Sequence, residues 1–110
     1  MAFGNPRVVD TQTNLVVDFD TDIIKVLDLG PTLNLLVDVT AVVTGTLDIT
    51  LEWSQDGVKF APAETPEVFA QLSAVGLIVA QFSLKAPAYR LRYVVATTPD
   101  FTFTVREFLT

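Results

Sequence analysis

Hydrophobic and polar residues alternate with a period of two along much of the chain, the pattern of strands with one buried face. In "LDITLEWSQDGVKFAPA", residues 47–63, Leu47, Ile49, Leu51 and Trp53 point one way. Asp48, Thr50, Glu52 and Ser54 point the other. Asp56-Gly57 then supplies the positive backbone angles of a hairpin turn. In "TLNLLVDVTAVV" the same rule buries Leu33, Leu35, Val37 and Val39 and puts Leu36 and Val42 on the opposite face. "LIVAQFSLKA" turns Ile78, Ala80, Phe82 and Leu84 inward, and "AYRLRYVVA" sets Tyr89, Leu91, Tyr93 and Val95 against Arg90, Arg92 and Val94. The last clean alternation is "FTFTV", with Phe101, Phe103 and Val105 in and Thr102 and Thr104 out.

Gly4, Asn5 and Pro6 break any regular element near the start, so residues 1–12 read as an extended arm and 13–110 as the folded domain. "TNLVVDFD" places Leu15, Val17 and Phe19 on one face, while the facing of "IIKVLDL" is open; Gly30-Pro31 and Thr44-Gly45 are turns. "APAETPEVFAQLSAVG" is the least periodic stretch, and its Pro62 and Pro66 forbid a central strand. A long loop is expected there, with one short helical turn near Glu67 to Leu72. Short strands of β-branched and aromatic residues, parted by turn residues, predict an all-β fold. About eight of them suit a two-sheet antiparallel sandwich of jelly-roll-like topology.

With 110 residues, the chain has enough length for one core and too little for two. It has no cysteine, which excludes disulfides, thiolate metal sites and a cysteine nucleophile. Histidine is absent as well, which removes the usual general base and the usual metal ligand. The common hydrolytic triads and zinc sites are thereby excluded, and no enzyme activity or cofactor is expected. Thirteen acidic side chains against seven basic give a net charge of −6, which repels phosphate backbones, so no nucleic acid partner is expected. The longest apolar run, Ala74 to Ala80, is far shorter than the roughly 20 residues that cross a bilayer. "MAFGNPRVVD" has no hydrophobic signal core, so neither a membrane span nor a secretory signal is expected. Half of the residues are nonetheless hydrophobic, a surplus that points to strands apolar on both faces or to sizeable subunit contacts.

Few side chains offer chemistry. Asp18, Asp20 and Asp22 alternate in "DFDTD" and three carboxylates suit a hard cation, but an EF-hand loop opening at Asp18 would need glycine and glutamate where Ile23 and Leu29 stand. The plainer reading is a solvated strand end whose charges discourage edge pairing. Glu64 with Glu67, or Asp48 with Glu52, could form an acid/base pair only across a cleft, and any acidic β protein offers such pairs, so surface carboxylates are the plainer reading. Trp53, Tyr89 and Tyr93 could stack on a sugar ring, although each continues an inward series and fills the core on that reading. Arg90 and Arg92 share a face and should meet carboxylates from a neighbouring strand. Phe108 and Leu109, beyond the last alternation, need somewhere to dock. With Phe3 and Pro6 in the arm, and with Leu36 and Val42, they are the expected contacts with other subunits.

The order "ITLEWSQDGVKF", "YRLRYVVA" and "TTPDFTFTV" resembles small β-sandwich virion proteins of tailed bacteriophages, a group that includes capsid decoration proteins. The resemblance rests on Ser54, Asp56, Gly57 and Phe60, on Tyr89, Arg90, Arg92 and Tyr93, and on Thr97 to Val105. It implies a non-enzymatic capsid decoration or cement protein at the capsid surface of the virion, stabilising the shell through subunit contacts. Its implied partners are the major capsid protein of the same particle and copies of itself, with a homotrimer favoured because closed rings match local shell symmetry. A tail or baseplate component belongs to the same class. The alternative from a different class is a carbohydrate-binding β-sandwich module using Trp53 or the tyrosines.

Overall fold

The computed structural model describes residues 6–26, 30–55, 60–68 and 72–110, with 60–68 described by their strand course alone. All regular structure in these residues is strand: β1 (Arg7–Leu15), β2 (Phe19–Asp20), β3 (Ile24–Lys25), β4 (Thr32–Val42), β5 (Thr46–Ser54), β6 (Phe60–Val68), β7 (Gly76–Ser83), β8 (Ala88–Ala96) and β9 (Phe101–Leu109). One antiparallel sheet has the order β1-β9-β4-β7, and the other β2-β8-β5-β6 with β3 also on β8.

β2 and β3 are one strand with an interruption. Between them the Thr21 N–H donates to the Leu91 carbonyl at 2.9 Å. Its hydroxyl in turn accepts from the Leu91 N–H at 2.9 Å, so a side chain continues the ladder where the backbone departs. Counted as one, β2 and β3 bring the total to eight, in the jelly-roll order, with β5 and β6 the one pair of sequence neighbours that lie side by side among the described strands.

The core forms where the alternation predicts. Leu33, Leu35, Val37 and Val39 of β4 and Phe101, Phe103 and Val105 of β9 face Leu47, Ile49, Leu51 and Trp53 of β5 and Tyr89, Leu91 and Tyr93 of β8. All are buried, and each such side chain contributes about 1.5–3 kcal/mol relative to an exposed one. The edge-on contact of Tyr93 with Phe103, centroids 5.0 Å apart, joins the two sheets in the middle.

Elsewhere the structure departs from the sequence-based expectation. The arm expected over residues 1–12 is strand from Arg7 onward, because its backbone finds β9 as a partner; residues 1–5 lie outside the described residues. Leu15 is buried, but Asn14 adopts a positive φ of 52° and the chain leaves the sheet, so Val17 and Phe19 do not join Leu15 in the core. Val42 belongs to the core side. A register shift between Val39 and Ala41 adds a residue to the count and reverses the facing, so Val42 pairs with buried Phe101.

The expected long loop after Phe60 is instead an edge strand, β6, which tolerates proline because one row of its N–H groups needs no partner. Its pairing jumps from Glu67 opposite Leu51 to Pro62 opposite Glu52, so the intervening residues bulge from the ladder. Of the helical turn expected near Glu67 to Leu72, Glu67 lies in β6, 69–71 are outside the described residues, and Leu72 forms an isolated antiparallel bridge with Leu47.

Gly45 makes the β4–β5 turn at φ +94°, and a Cβ there would lie 2.6 Å from the Ala96 carbonyl oxygen and 2.7 Å from Pro99 Cα. Both obstacles are backbone. Gly45→Ala is therefore expected to cost more than about 1 kcal/mol in urea denaturation. An unchanged midpoint would show that this turn is free to open.

Candidate functional site

Two kinds of site stand out: a polar clasp between the sheets, and apolar surface that the chain leaves uncovered. The clasp begins at Glu107, which continues the inward parity of Phe101, Phe103 and Val105 and is only 3 % exposed. A carboxylate there needs partners, since burying an unpaired charge costs several kcal/mol. Arg7 of β1 pairs with its Oε1, and the Tyr89 hydroxyl from the opposite sheet donates to the same oxygen at 3.0 Å. Arg7 also donates to the Lys25 carbonyl at 2.9 Å, tying β1 across to β3.

A second tie lies further along β1. The Tyr93 hydroxyl donates to Asp10 Oδ2 at 2.7 Å, and Gln12 Nε2 donates to the same oxygen at 3.0 Å. Burial pushes both tyrosine hydroxyls well above the ordinary value of 10.0, helped at Tyr89 by the Glu107 charge and at Tyr93 by the hydrogen bond to Asp10. Both phenols therefore stay protonated and keep donating. Among the described residues no buried side-chain nitrogen or oxygen lacks a hydrogen-bond partner. The clasp's geometry serves to hold β1 against the second sheet.

The other sequence candidates are distributed as follows. Arg90 meets Glu52 at 2.8 Å and Arg92 meets Asp20 at 3.6 Å, the cross-strand pairing expected of them. Asp18 accepts the Val95 N–H at 2.9 Å, and no group of three or more potential metal ligands occurs among the described residues. Trp53, Tyr89 and Tyr93 lie inside the sandwich, with Trp53 edge-on to Tyr89 at 6.2 Å, and none presents an open ring face for a sugar. Side chains of Glu64 and Glu67 lie outside the described residues, as does Phe3.

Of the expected subunit contacts, Pro6 is exposed, and Leu109 and Val42 pack partly against the core. Leu36 and Phe108 lie half-buried on the outer face of the β1-β9-β4-β7 sheet. There Leu36 stands beside Val79 on β7 and Arg106 on β9, with Val8 on β1 beyond Arg106. One residue pair along, Asp38 stands beside Leu77 and Thr104. Leu77, Val79 and Val8 are 52–59 % exposed.

A second apolar surface crowns one end of the sandwich. Val16 and Val17 follow β1, Val43 follows β4, and Val75 precedes β7. Leu15 and Val42 both pair with Phe101, the Val43 N–H reaches the Asp100 carbonyl, and Val39 pairs with Gly76, so all these connections emerge at the same end. The four valines are 53–75 % exposed.

No family model, curated protein or solved structure matches the chain. The site is accordingly defined by its own geometry, two separate apolar surfaces on a sandwich clasped by buried tyrosines. Sequence reasoning missed Glu107, Arg7 and Asp10 because a charged residue at an inward position reads as the end of a strand. Unbroken parity from Phe101 through Glu107 to Leu109 was the available signal.

Glu107→Ala leaves Tyr89 and Arg7 without their acceptor and is expected to cost about 3 kcal/mol, measured by urea denaturation. Tyr93→Phe is expected to cost about 1 kcal/mol, because Asp10 keeps Gln12. The folded-state pKa values of Tyr89 and Tyr93 lie above those of the unfolded chain. Their contribution is thus complete below about pH 10 and is lost as pH rises further, by about 1.4 kcal/mol per pH unit for each tyrosine. The double variant Tyr89→Phe/Tyr93→Phe should flatten this alkaline decline. An equally steep decline in both proteins would reject the linkage.

Proposed function

We propose that this chain is a non-enzymatic structural protein of a tailed-phage virion, a capsid decoration or cement subunit that sits on the shell and acts by covering surface. The observation that carries the reading is the pair of uncovered apolar surfaces, the valine-tipped end and the outer sheet face. Exposed apolar patches of this kind mark surfaces that are covered in the working assembly. A subunit that must hold both to a shell and to its own neighbours needs two such surfaces, one for each. Support also comes from the motif order of its strands and from its jelly-roll order, shared by viral capsid domains. Fold likeness alone does not assign function, so the surfaces bear the weight.

In this reading the valine-tipped end meets the major capsid protein. Burying apolar area contributes about 25 cal/mol per Å² before ordering costs, and a shell that presents many copies of the same site raises avidity without new contacts. The jelly roll also occurs in lectin domains, but a carbohydrate-binding role would need an open aromatic platform, and Trp53, Tyr89 and Tyr93 are buried.

Mass spectrometry of purified virions made from the genome that encodes the chain provides the test. The protein is expected in the particles at a copy number comparable to that of the shell protein, with antibody labelling on the head. Val17→Asp/Val43→Asp should deplete it from particles while changing folding stability by no more than about 0.5 kcal/mol, as substitutions at exposed positions usually do. Absence of the wild-type chain from purified virions would overturn the proposal. Labelling confined to the tail would replace the decoration role with a tail component.

A further inference from the structure

We infer that the outer face of the β1-β9-β4-β7 sheet pairs with the same face of a second copy of this chain about a twofold axis close to Leu36. This deepens the proposed function, resting on its reading of that face as a docking surface, and names the partner. It replaces the expected threefold grouping, because one patch that carries both members of each complementary pair makes an isologous contact.

The argument starts from charge. Arg106 and Asp38 lie on the outer face on adjacent strands β9 and β4, half-buried among apolar side chains. Neither forms an ion pair within the described part of the chain, unlike Arg7, Arg90 and Arg92. Their register separates them: Arg106 is opposite Leu36, and Asp38 is opposite Thr104, so they stand on a diagonal. An axis lying in the face and bisecting that diagonal brings Arg106 of one copy over Asp38 of the other, and the reciprocal pair forms at the same time.

Applied to a flat grid with the usual strand spacing of about 4.8 Å and rise of about 3.3 Å per residue, the same operation organises the apolar residues. Leu36 falls next to its own copy near the axis. Val79 lands beside Leu36 and Val79 of the second copy, and Leu77 lands beside the position of Phe108. Thus a single rotation matches charge with opposite charge and Leu36, Val79 and Leu77 with apolar positions. Strands of the two copies then cross at a steep angle, closer to the orthogonal than to the aligned class of sheet packing.

The size is that of a weak contact, carried by its charge pairs. Four strands of about nine residues give a face of about 570 Å² before side-chain relief. Mated at that steep crossing, the two faces overlap over about 390 Å² each, so about 780 Å² is covered in total before side-chain relief, the size of a weak, transient contact. The contact is thus of modest strength, with dissociation in the micromolar range expected from its size and mixed polarity.

Charge reversal tests the pairing directly on the full chain. In sedimentation equilibrium the wild type is expected to dimerise, and Arg106→Asp and Asp38→Arg should each weaken the dimer at least about tenfold. The combined Arg106→Asp/Asp38→Arg chain should recover most of that loss, an outcome that misfolding cannot mimic. Because the chain contains no cysteine, Leu36→Cys introduces a single thiol. Facing sheets pack about 10 Å apart, so a short bis-maleimide rather than a direct disulfide should link two copies at this position.

A wild type that remains monomeric, or singles that dimerise as well as the wild type, would overturn the inference. If the monomeric chain still enters virions, and Leu77→Asp excludes it, the face belongs to the shell protein and the decoration role stands without the dimer. A dimer that obeys the charge swap but is absent from virions leaves the pairing in place and removes the proposed function.

Discussion

The tertiary fold depends on how β1 is held. This edge strand is paired only with β9, and among its described residues Leu15 alone is fully buried. Apolar burial therefore holds its far end, while Arg7 and Asp10 hold the rest through carboxylate and phenol contacts to β9, β3 and β8. The contacts to Lys25 and Tyr93 cross between the sheets, and at buried Glu107 a satisfied hydrogen bond is strong and an unsatisfied one is costly. They do what shape alone cannot: they select one register of β1 on β9, because a shift by one residue would send Arg7 and Asp10 to the solvent face.

With β1 in place, the remaining architecture follows from the crossing of chain connections. β4 and β9 form the middle of one sheet and β5 and β8 the middle of the other, so the central strands bury apolar faces, interrupted on β9 by Glu107. The edges are handled differently. β6 carries prolines and a jump in register, β2 and β3 are short and interrupted, and β1 bears the clasp. β7 presents apolar side chains outward along its edge, with Leu77 and Val79 exposed. Sandwiches commonly blunt such an edge with charge, which β7 lacks at Leu77 and Val79.

Polar atoms on the outer face are also put to structural use. Asn34, almost fully buried, donates to the Phe108 carbonyl and the Thr110 hydroxyl and accepts from Gln81, binding the last residues of β9 to β4 and β7. This brings the C-terminal residues onto the sheet. Phe108 consequently takes its place on the outer face, beside the patch that Leu36 and Val79 form.

Alternation alone determined the core. Leu33 to Val39, Leu47 to Trp53, Tyr89 to Val95 and Phe101 to Val105 face as their parity requires, because a strand's period of two leaves no freedom once one face is apolar. Composition likewise determined that no thiolate or imidazole chemistry is available. Tertiary structure decided what parity cannot express. A bulge after Val39 returned Val42 to the core, and β9 offered residues 7–12 a partner that turned an expected arm into strand. Glu107 was acceptable inside only because Arg7 and Tyr89, 100 and 18 residues away in sequence, arrive at the same oxygen. The apolar end is likewise a product of the fold, since valines from three separate connections converge only when the strands between them are aligned. Local pattern is a property of neighbours along the chain, whereas pairing partners, bulges and convergent surfaces are set by residues distant in sequence.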